Sequence, residues 1–371
     1  MTVEEQRKRK EPQRLGRRPA LDGLRGIAIL LVMLEHTGIL QNGYVGVDVF
    51  FGLSGFLITT LLYEEWERTG GISFRGFYER RARRLLPALL LLLAAFVLLA
   101  AVFDPFTGWS TGHRVVTTLL FANNWVNALG HQHQLGALSP TWSLAQEEQF
   151  YIFWPALLWV MLRAGLRPVV VIGVLALAIV ALLEAVPHVE HVLPAYDAYF
   201  SPLDRSAELL FGCVGAVLWR NRYVPWPLRW RVTEWVLVAA IGILLFNHSL
   251  PLRWIYLGCA ALAVPLIVAL LSATDGLIAR ALRFRPLAYL GRISYSLYLF
   301  NLMVHNLATH YLPGRSTLFY AVITFAVSVP AAAVSWHLLE SRILRRKAHA
   351  TPRRWSLKGV LGIRAPRPEH V

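Results

Sequence analysis

The chain has 371 residues, 56% of them hydrophobic and only 16% charged, with a mean hydropathy of +0.47. A soluble domain carries about 25% charged residues, so this composition excludes an ordinary soluble enzyme and points to an all-α, polytopic membrane protein. The net charge of +15 and the pI near 10.3 would suit a nucleic-acid binder, but the placement of that charge along the chain argues otherwise.

Ten apolar runs predict membrane-spanning helices at 22–41, 44–63, 85–103, 144–162, 168–187, 203–219, 232–247, 254–272, 288–309 and 316–340. The segment 113–130 is too polar to span and is expected along the interface or folded over the outer mouth. With this count, 32 of the 37 Lys and Arg fall on one side: residues 1–18, the connection holding Arg68 to Arg84, three later connections, and the tail from Arg342. Positive residues stay cytoplasmic. Both termini are therefore expected inside, the 104–143 loop outside, and the charge is a topology signal rather than a nucleic-acid footprint. The chain divides into a basic segment 1–18, a transmembrane domain 19–343 and a basic tail 344–371. The first span lacks a small-residue cleavage site and reads as a retained signal-anchor in the plasma membrane. Cys213 and Cys259 sit in separate apolar runs and read as small buried hydrophobes.

Span one holds the most informative pair. Arg25 and His36 are eleven residues apart, which on a helix leaves their side chains about 20° apart and separates them by about 16 Å along the axis. Ionisable residues inside an apolar span cost free energy and mark cavities or chemistry. The remaining intramembrane polar residues sort into two predicted layers. An outer one contains His36, Asp48, Glu147, Glu148, Asp204, Arg205, Glu208 and His305, and is expected to line a polar cavity open to the outside. An inner one contains Arg25, the Arg80, Arg81, Arg83 and Arg84 cluster, Arg292, and Glu340 with Arg342. Arginine forks match phosphate oxygens. The inner layer therefore suits a cytosolic polyanion with a long thin arm, such as acyl-coenzyme A, whose reactive end could reach His36.

Six segments occur in order: RRPALDGLRGIAILLVMLEH, GYVGVDVFFGLSGFLI, ISFRGFYERRARRLLP, TWSLAQEEQFYIFWP, LGRISYSLYLF and SWHLLESRI. Together, over residues 17 to 346, they resemble the acyltransferase-3 family of membrane O-acyltransferases. The resemblance implies transfer of an acyl group, most commonly acetyl, from cytosolic acyl-coenzyme A to a hydroxyl, often on a sugar at or beyond the outer face. It assigns the family's essential histidine to His36, the arginine before it to Arg25, and the glutamates of its SLxxEEQFY motif to Glu147 and Glu148. The paired-arginine motif falls on the Arg80–Arg84 cluster, where Arg80/Arg83 and Arg81/Arg84 both fit. Three positions depart from the family pattern. Glu35 replaces an aromatic or aliphatic residue and points about 100° off the site stripe, Pro140 precedes TWSL, and Asn301 stands where histidine is common. The hydrolase-like domain fused to some relatives is not expected here, so onward transfer would need another protein.

The mechanism expected from these residues is general-base catalysis. A neutral His36, whose ordinary pKa lies near working pH, takes the proton of the acceptor hydroxyl, and Glu147 or Glu148, at matching depth, orients the ring. Direct transfer and an acyl-histidine intermediate both fit. Asp22 lies too far along the helix to orient the ring and is expected to cap the helix or pair with Arg25. Asp48, Trp142, Arg205 and Asn301 are assigned to the acceptor side, with Trp142 and Tyr151 as candidate stacking platforms for a sugar. Gly46, Gly52 and Gly55 read as close helix contacts rather than a phosphate cradle, and His131 and His133 as a solvated loop rather than metal ligands. The expected partners are the acyl-coenzyme A donor, a carbohydrate or small-molecule acceptor (a glycan, a lipid-linked sugar or a secreted macrolide) and membrane lipid, with no metal and no nucleic acid. The rival from another class is a transporter, for which repeats or paired broken helices would be needed; the sequence has neither.

Overall fold

The computed structural model describes residues 14–16, 18–103, 109–193, 195–224, 231–247, 249–272 and 276–345. Most of the basic segment 1–18 and of the tail 344–371 lies outside the described residues. Among the described residues, ten helices fall on the ten predicted apolar runs: α1 (Pro19–His36), α2 (Val45–Thr69), α3 (Phe74–Phe103), α4 (Trp142–Arg163), α5 (Pro168–Val192), α6 (Pro202–Arg220), α7 (Arg231–Leu245), α8 (Leu252–Ser272), α9 (Arg285–Tyr311) and α10 (Thr317–Ser335). No strand occurs among the described residues. Among the described residues, five helices are long and apolar enough to cross a membrane by themselves: α2, α3, α5, α8 and the stretch Thr317–Leu344 that contains α10. Of the others, α1, α4, α6 and α9 carry the intramembrane charged residues that lower their hydropathy, and α7 is short.

Local chemistry explains several helix limits. Pro19, Pro168 and Pro202 open α1, α5 and α6, where a missing N–H costs nothing. The Ser201 hydroxyl accepts from the Leu203 amide, and Ser316 accepts from Phe319, each serving as an N-cap. Gly70 closes α2 in the left-handed region at φ 72°. Asp22 is not a cap. It lies in the first turn of α1, where a carboxylate complements the helix dipole.

Small residues bring the central helices into backbone contact. A Cβ at Gly291 of α9 would stand 1.7 Å from the carbonyl oxygen of Asp22 on α1, and one at Gly26 would stand 2.2 Å from that of Leu287. On α2, a Cβ at Gly46 would stand 2.2 Å from the Ala28 carbonyl oxygen and one at Gly55 would stand 1.9 Å from that of Leu209 on α6. These are the close crossings expected in a membrane interior. Gly52 differs, since a Cβ there would lie 3.4 Å from a Val264 methyl, an ordinary contact. Both cysteines are buried and free.

The polar segment before α4 forms short helices at Thr111–Leu119, Asn123–Ala128 and Gln132–Leu135, then a 3-10 turn at Gly136–Thr141. It folds onto the start of α4 through side-chain amides. Asn124 donates to Gln146 and Gln149, each at 3.1 Å, and Gln149 donates to the Phe121 carbonyl at 2.7 Å. This segment also fixes the depth of α4. The Tyr298 hydroxyl, halfway along α9, donates to the Pro140 carbonyl at 2.6 Å. Helix α4 therefore begins level with the middle of α9 rather than at the bundle's end.

Candidate active site

A cavity of about 740 Å³ runs between α1, α2, α3, α4 and α9. At one end lie the exposed Arg14, Arg68, Arg80 and Arg84, with Glu64, Glu65, Glu67 and the buried Arg220 that pairs with Glu64 and Glu67. Its walls are Phe50, Leu57, Leu61 and Leu62, and its deep end is formed by Val47, Phe51, Ser143 and Tyr298. The cavity thus runs from the arginine cluster of the predicted inner layer.

Arg25 reaches this cavity from α1. One of its terminal nitrogens donates to the Ser294 hydroxyl at 3.3 Å, its guanidinium lies 5.9 Å from the centre of the Phe50 ring, and its Nε is buried without a partner. Arg81 donates to Glu148 at 2.6 Å and stacks 3.4 Å above the Tyr151 ring. Arg80, Arg81 and Arg84 line the cavity, whereas Arg83 does not; it pairs with Glu79 at 3.3 Å. Of the two arginine pairs the sequence permits, Arg81/Arg84 is the one with both members on the cavity. Glu147 also lines it and accepts from the Ser54 hydroxyl at 2.7 Å and from Tyr151 at 3.4 Å.

This arrangement corrects the predicted layers. Glu147 and Glu148 lie with Arg25 and Arg81, not beside His36, because α4 starts deep within the bundle. Tyr151, expected to stack on a sugar, instead lies under a guanidinium for the same reason. The His36 ring is held by another residue. Its Nδ1 lies 2.5 Å from Oδ1 of Asn301, and its Nε2 lies 3.6 Å from the Glu35 carboxylate. Glu35, which pointed off the stripe on a helical wheel, therefore gains a neighbour through the reach of its side chain. His305 stands one turn beyond Asn301 and meets the Thr324 hydroxyl at 3.4 Å.

The residues assigned to the acceptor side are largely enclosed. Asp48 and Glu208 bracket Arg205 at 2.9 and 2.5 Å, and all three side chains are fully buried. Four rings surround the guanidinium: Phe51, Trp142, Tyr199 and Tyr256, with centroids 4.7 to 5.2 Å away. Asn301 is buried as well, and Trp142 is 5% exposed. One guanidinium is thus shared by two carboxylates, and pairing is what holds charge at this depth, because an unpaired group would carry a large desolvation cost. The three side chains form a closed knot joining α2 and α6, with no surface from which Asp48 or Arg205 can touch an acceptor. In the inner layer, Glu340 bonds Ser335 at 3.1 Å and Ser296, from a single π-turn at Trp336–Glu340.

Sequence reasoning missed Ser54, Ser143, Ser294 and Tyr298. Each is an unremarkable polar residue in an apolar run, and only its position at the cavity singles it out.

The chain is 29% identical over 352 residues to the peptidoglycan O-acetyltransferase OatA of Listeria monocytogenes, 30% over 350 to the putative peptidoglycan O-acetyltransferase YrhL of Bacillus subtilis, and 28% over 356 to the O-acetyltransferase OatA of Staphylococcus aureus. Each match covers 88% of this chain but 55%, 54% and 57% of the respective relative, so the chain spans about half the length of the curated relatives it matches. No solved structure matches it. The profile of the acyltransferase-3 family, described as an acyltransferase domain, matches residues 18–337, and the chain belongs to that family.

Proposed function

We propose that this protein is a membrane O-acetyltransferase that takes acetyl groups from cytosolic acetyl-coenzyme A and passes them to hydroxyls of a cell-wall glycan. The carrying observation is the cavity. Its mouth is ringed with arginines, its walls are apolar and its volume of about 740 Å³ lies within the range of ligand pockets, about 300 to 1,000 Å³. Arg84 at the mouth is exposed and makes no ion pair among the described residues, Arg25 within keeps a partnerless Nε, and Arg81, though held to Glu148 through one terminal nitrogen, also keeps its Nε free. The deep end stops at Tyr298, which is one turn before Asn301 on α9, and Asn301 holds His36. With ten crossings and both termini in the cytosol, the cavity mouth faces the donor's compartment. Three O-acetyltransferases among the relatives, two of them named for peptidoglycan, support the glycan acceptor.

In this reading His36 is the general base. Its Nε2 removes the acceptor's hydroxyl proton as that oxygen bonds to the thioester carbonyl carbon. The carbon–sulfur bond then breaks, and the proton passes to the departing thiolate. Tyr298, linked to Ser143 at 2.7 Å and to Pro140, stands between the cavity and the ring and marks where the thioester must arrive. Arg25 and Arg84 bind and orient the donor. Positioning and a general base each lower the barrier without a metal ion.

The test is acceptor-dependent release of free thiol from acetyl-coenzyme A by protein in vesicles. Wild-type protein releases thiol when a peptidoglycan fragment is supplied on the far side. His36→Ala protein inserts and binds the donor but releases none. Undiminished release by His36→Ala ends the assignment.

A further inference from the structure

We infer that Asn301 is the positioning residue of His36: it fixes the ring as the Nδ1–H tautomer and so leaves the Nε2 lone pair as the base. The kinetic consequence rests on the acetyl-transfer reading, but the tautomer does not.

The argument begins with the amide of Asn301, which is fully buried on α9. Its Nδ2 donates to the carbonyls of Leu297 at 3.0 Å and Tyr298 at 2.7 Å, both in the preceding turn of the same helix. Those oxygens can only accept. Turning the amide over would set Oδ1 against two carbonyl oxygens, so chemistry alone decides which end faces His36. The end that remains is Oδ1, 2.5 Å from Nδ1 of the ring. Oδ1 is itself only an acceptor, so Nδ1 must carry the hydrogen. A neutral imidazole has one N–H, and Nε2 is therefore unprotonated.

Two other titratable groups face the ring. Glu35, on the same helix, stands 3.6 Å from Nε2. That exceeds hydrogen-bond distance, so it leaves the lone pair free while offsetting the charge of an imidazolium. His305 bonds toward Thr324 and makes no hydrogen bond to the ring among the described residues. A histidine at position 301, common in the family, can either donate or accept and so does not dictate the tautomer. An asparagine with its nitrogen tied to the helix can only accept. The departure from the family pattern thus has a definite chemical effect.

The experiment uses full-length protein labelled with 15N-histidine in lipid nanodiscs, with the His36 signals assigned by difference against His36→Ala. Wild-type protein is expected to show a protonated Nδ1 and a pyridine-like Nε2. Asn301→Leu should mix or reverse the tautomers and lower kcat, reaching the about 10² to 10⁴-fold that a general base contributes only where the reversal is complete, with KM for acetyl-coenzyme A unchanged. Asn301→Ala removes the acceptor without setting an oxygen against the Leu297 and Tyr298 carbonyls and should likewise release the tautomer. A wild-type ring protonated on Nε2 overturns the inference, as does Asn301→Leu protein with unchanged tautomer and kcat. If Asn301→Leu does not fold, the smaller Asn301→Ala decides: a mixed or reversed tautomer supports the inference, and the wild-type tautomer overturns it. Should the tautomer follow Asn301 while His36→Ala still transfers acetyl, the positioning role stands and the reading of His36 as the base falls.

Discussion

Replacing the arginines of the Arg80–Arg84 cluster one at a time separates a donor-binding role from a structural one. Arg84 lines the cavity, is exposed, and makes no ion pair among the described residues. A hydrogen bond to a charged group contributes about 1.5 to 3 kcal/mol. At about 1.4 kcal/mol per tenfold change, Arg84→Ala should weaken coenzyme A binding by roughly tenfold, since solvent screening keeps an exposed pair at the low end. Thermal stability should not change. Arg81→Ala acts differently, because it strands the Glu148 carboxylate, 15% exposed, without its partner. Breaking such a buried pair costs about 3 to 5 kcal/mol, against a total of about 5 to 15 kcal/mol for a typical domain. That variant should lose its fold on extraction, and replacing both partners with apolar residues of similar size should recover it. Arg83→Ala, off the cavity and paired among the described residues with Glu79, serves as the silent control. Calorimetric titration with coenzyme A in detergent, at two salt concentrations and alongside thermal unfolding, reads all three. If Arg84→Ala binds as tightly as wild type while Arg83→Ala loses affinity, the cavity has been assigned to the wrong arginine pair.

Three further outcomes follow from the packing. Gly291→Ala puts a methyl 1.7 Å from the Asp22 carbonyl and should cost at least about 3 kcal/mol, the upper end for overpacking, whereas Gly52→Ala should leave the unfolding temperature nearly unchanged. Arg205→Met leaves Asp48 and Glu208 unpaired at full burial and should destabilise by about 3 to 5 kcal/mol. A stable Arg205→Met protein with a raised KM for acceptor would instead make Arg205 a substrate contact. Tyr298→Phe removes the bonds to Ser143 and the Pro140 carbonyl. It should lower kcat more than it alters donor affinity, which a comparison of thiol release with coenzyme A titration measures.

What could be read from the sequence depended on whether a signal was local. The ten long helices were legible because each is an apolar run bounded by charge or proline, and Gly46 and Gly55 were legible as close contacts because small residues in such runs seldom serve otherwise. Depth was not legible for α4. Counting residues inward from the end of a hydrophobic run assumes that the helix starts at the membrane surface. The 3-10 turn at Gly136–Thr141 dips to the middle of α9 instead, so Glu147 and Glu148 lie among the inner arginines. Pairing was legible only in kind. Asp48 and Arg205, 157 residues apart, each signalled a buried charge, but charge alone does not tell a lined cavity from a closed knot, and the four rings that close it come from α2, α4, α8 and the turn before α6. The same limit explains Asn301. Its sequence signal was a missing histidine, which argues for a lost role; the two carbonyls one turn back convert it into an obligate acceptor. On the inference drawn for Asn301, a partner that can only accept narrows the chemistry of His36 rather than weakening it, leaving the ring one neutral form instead of two.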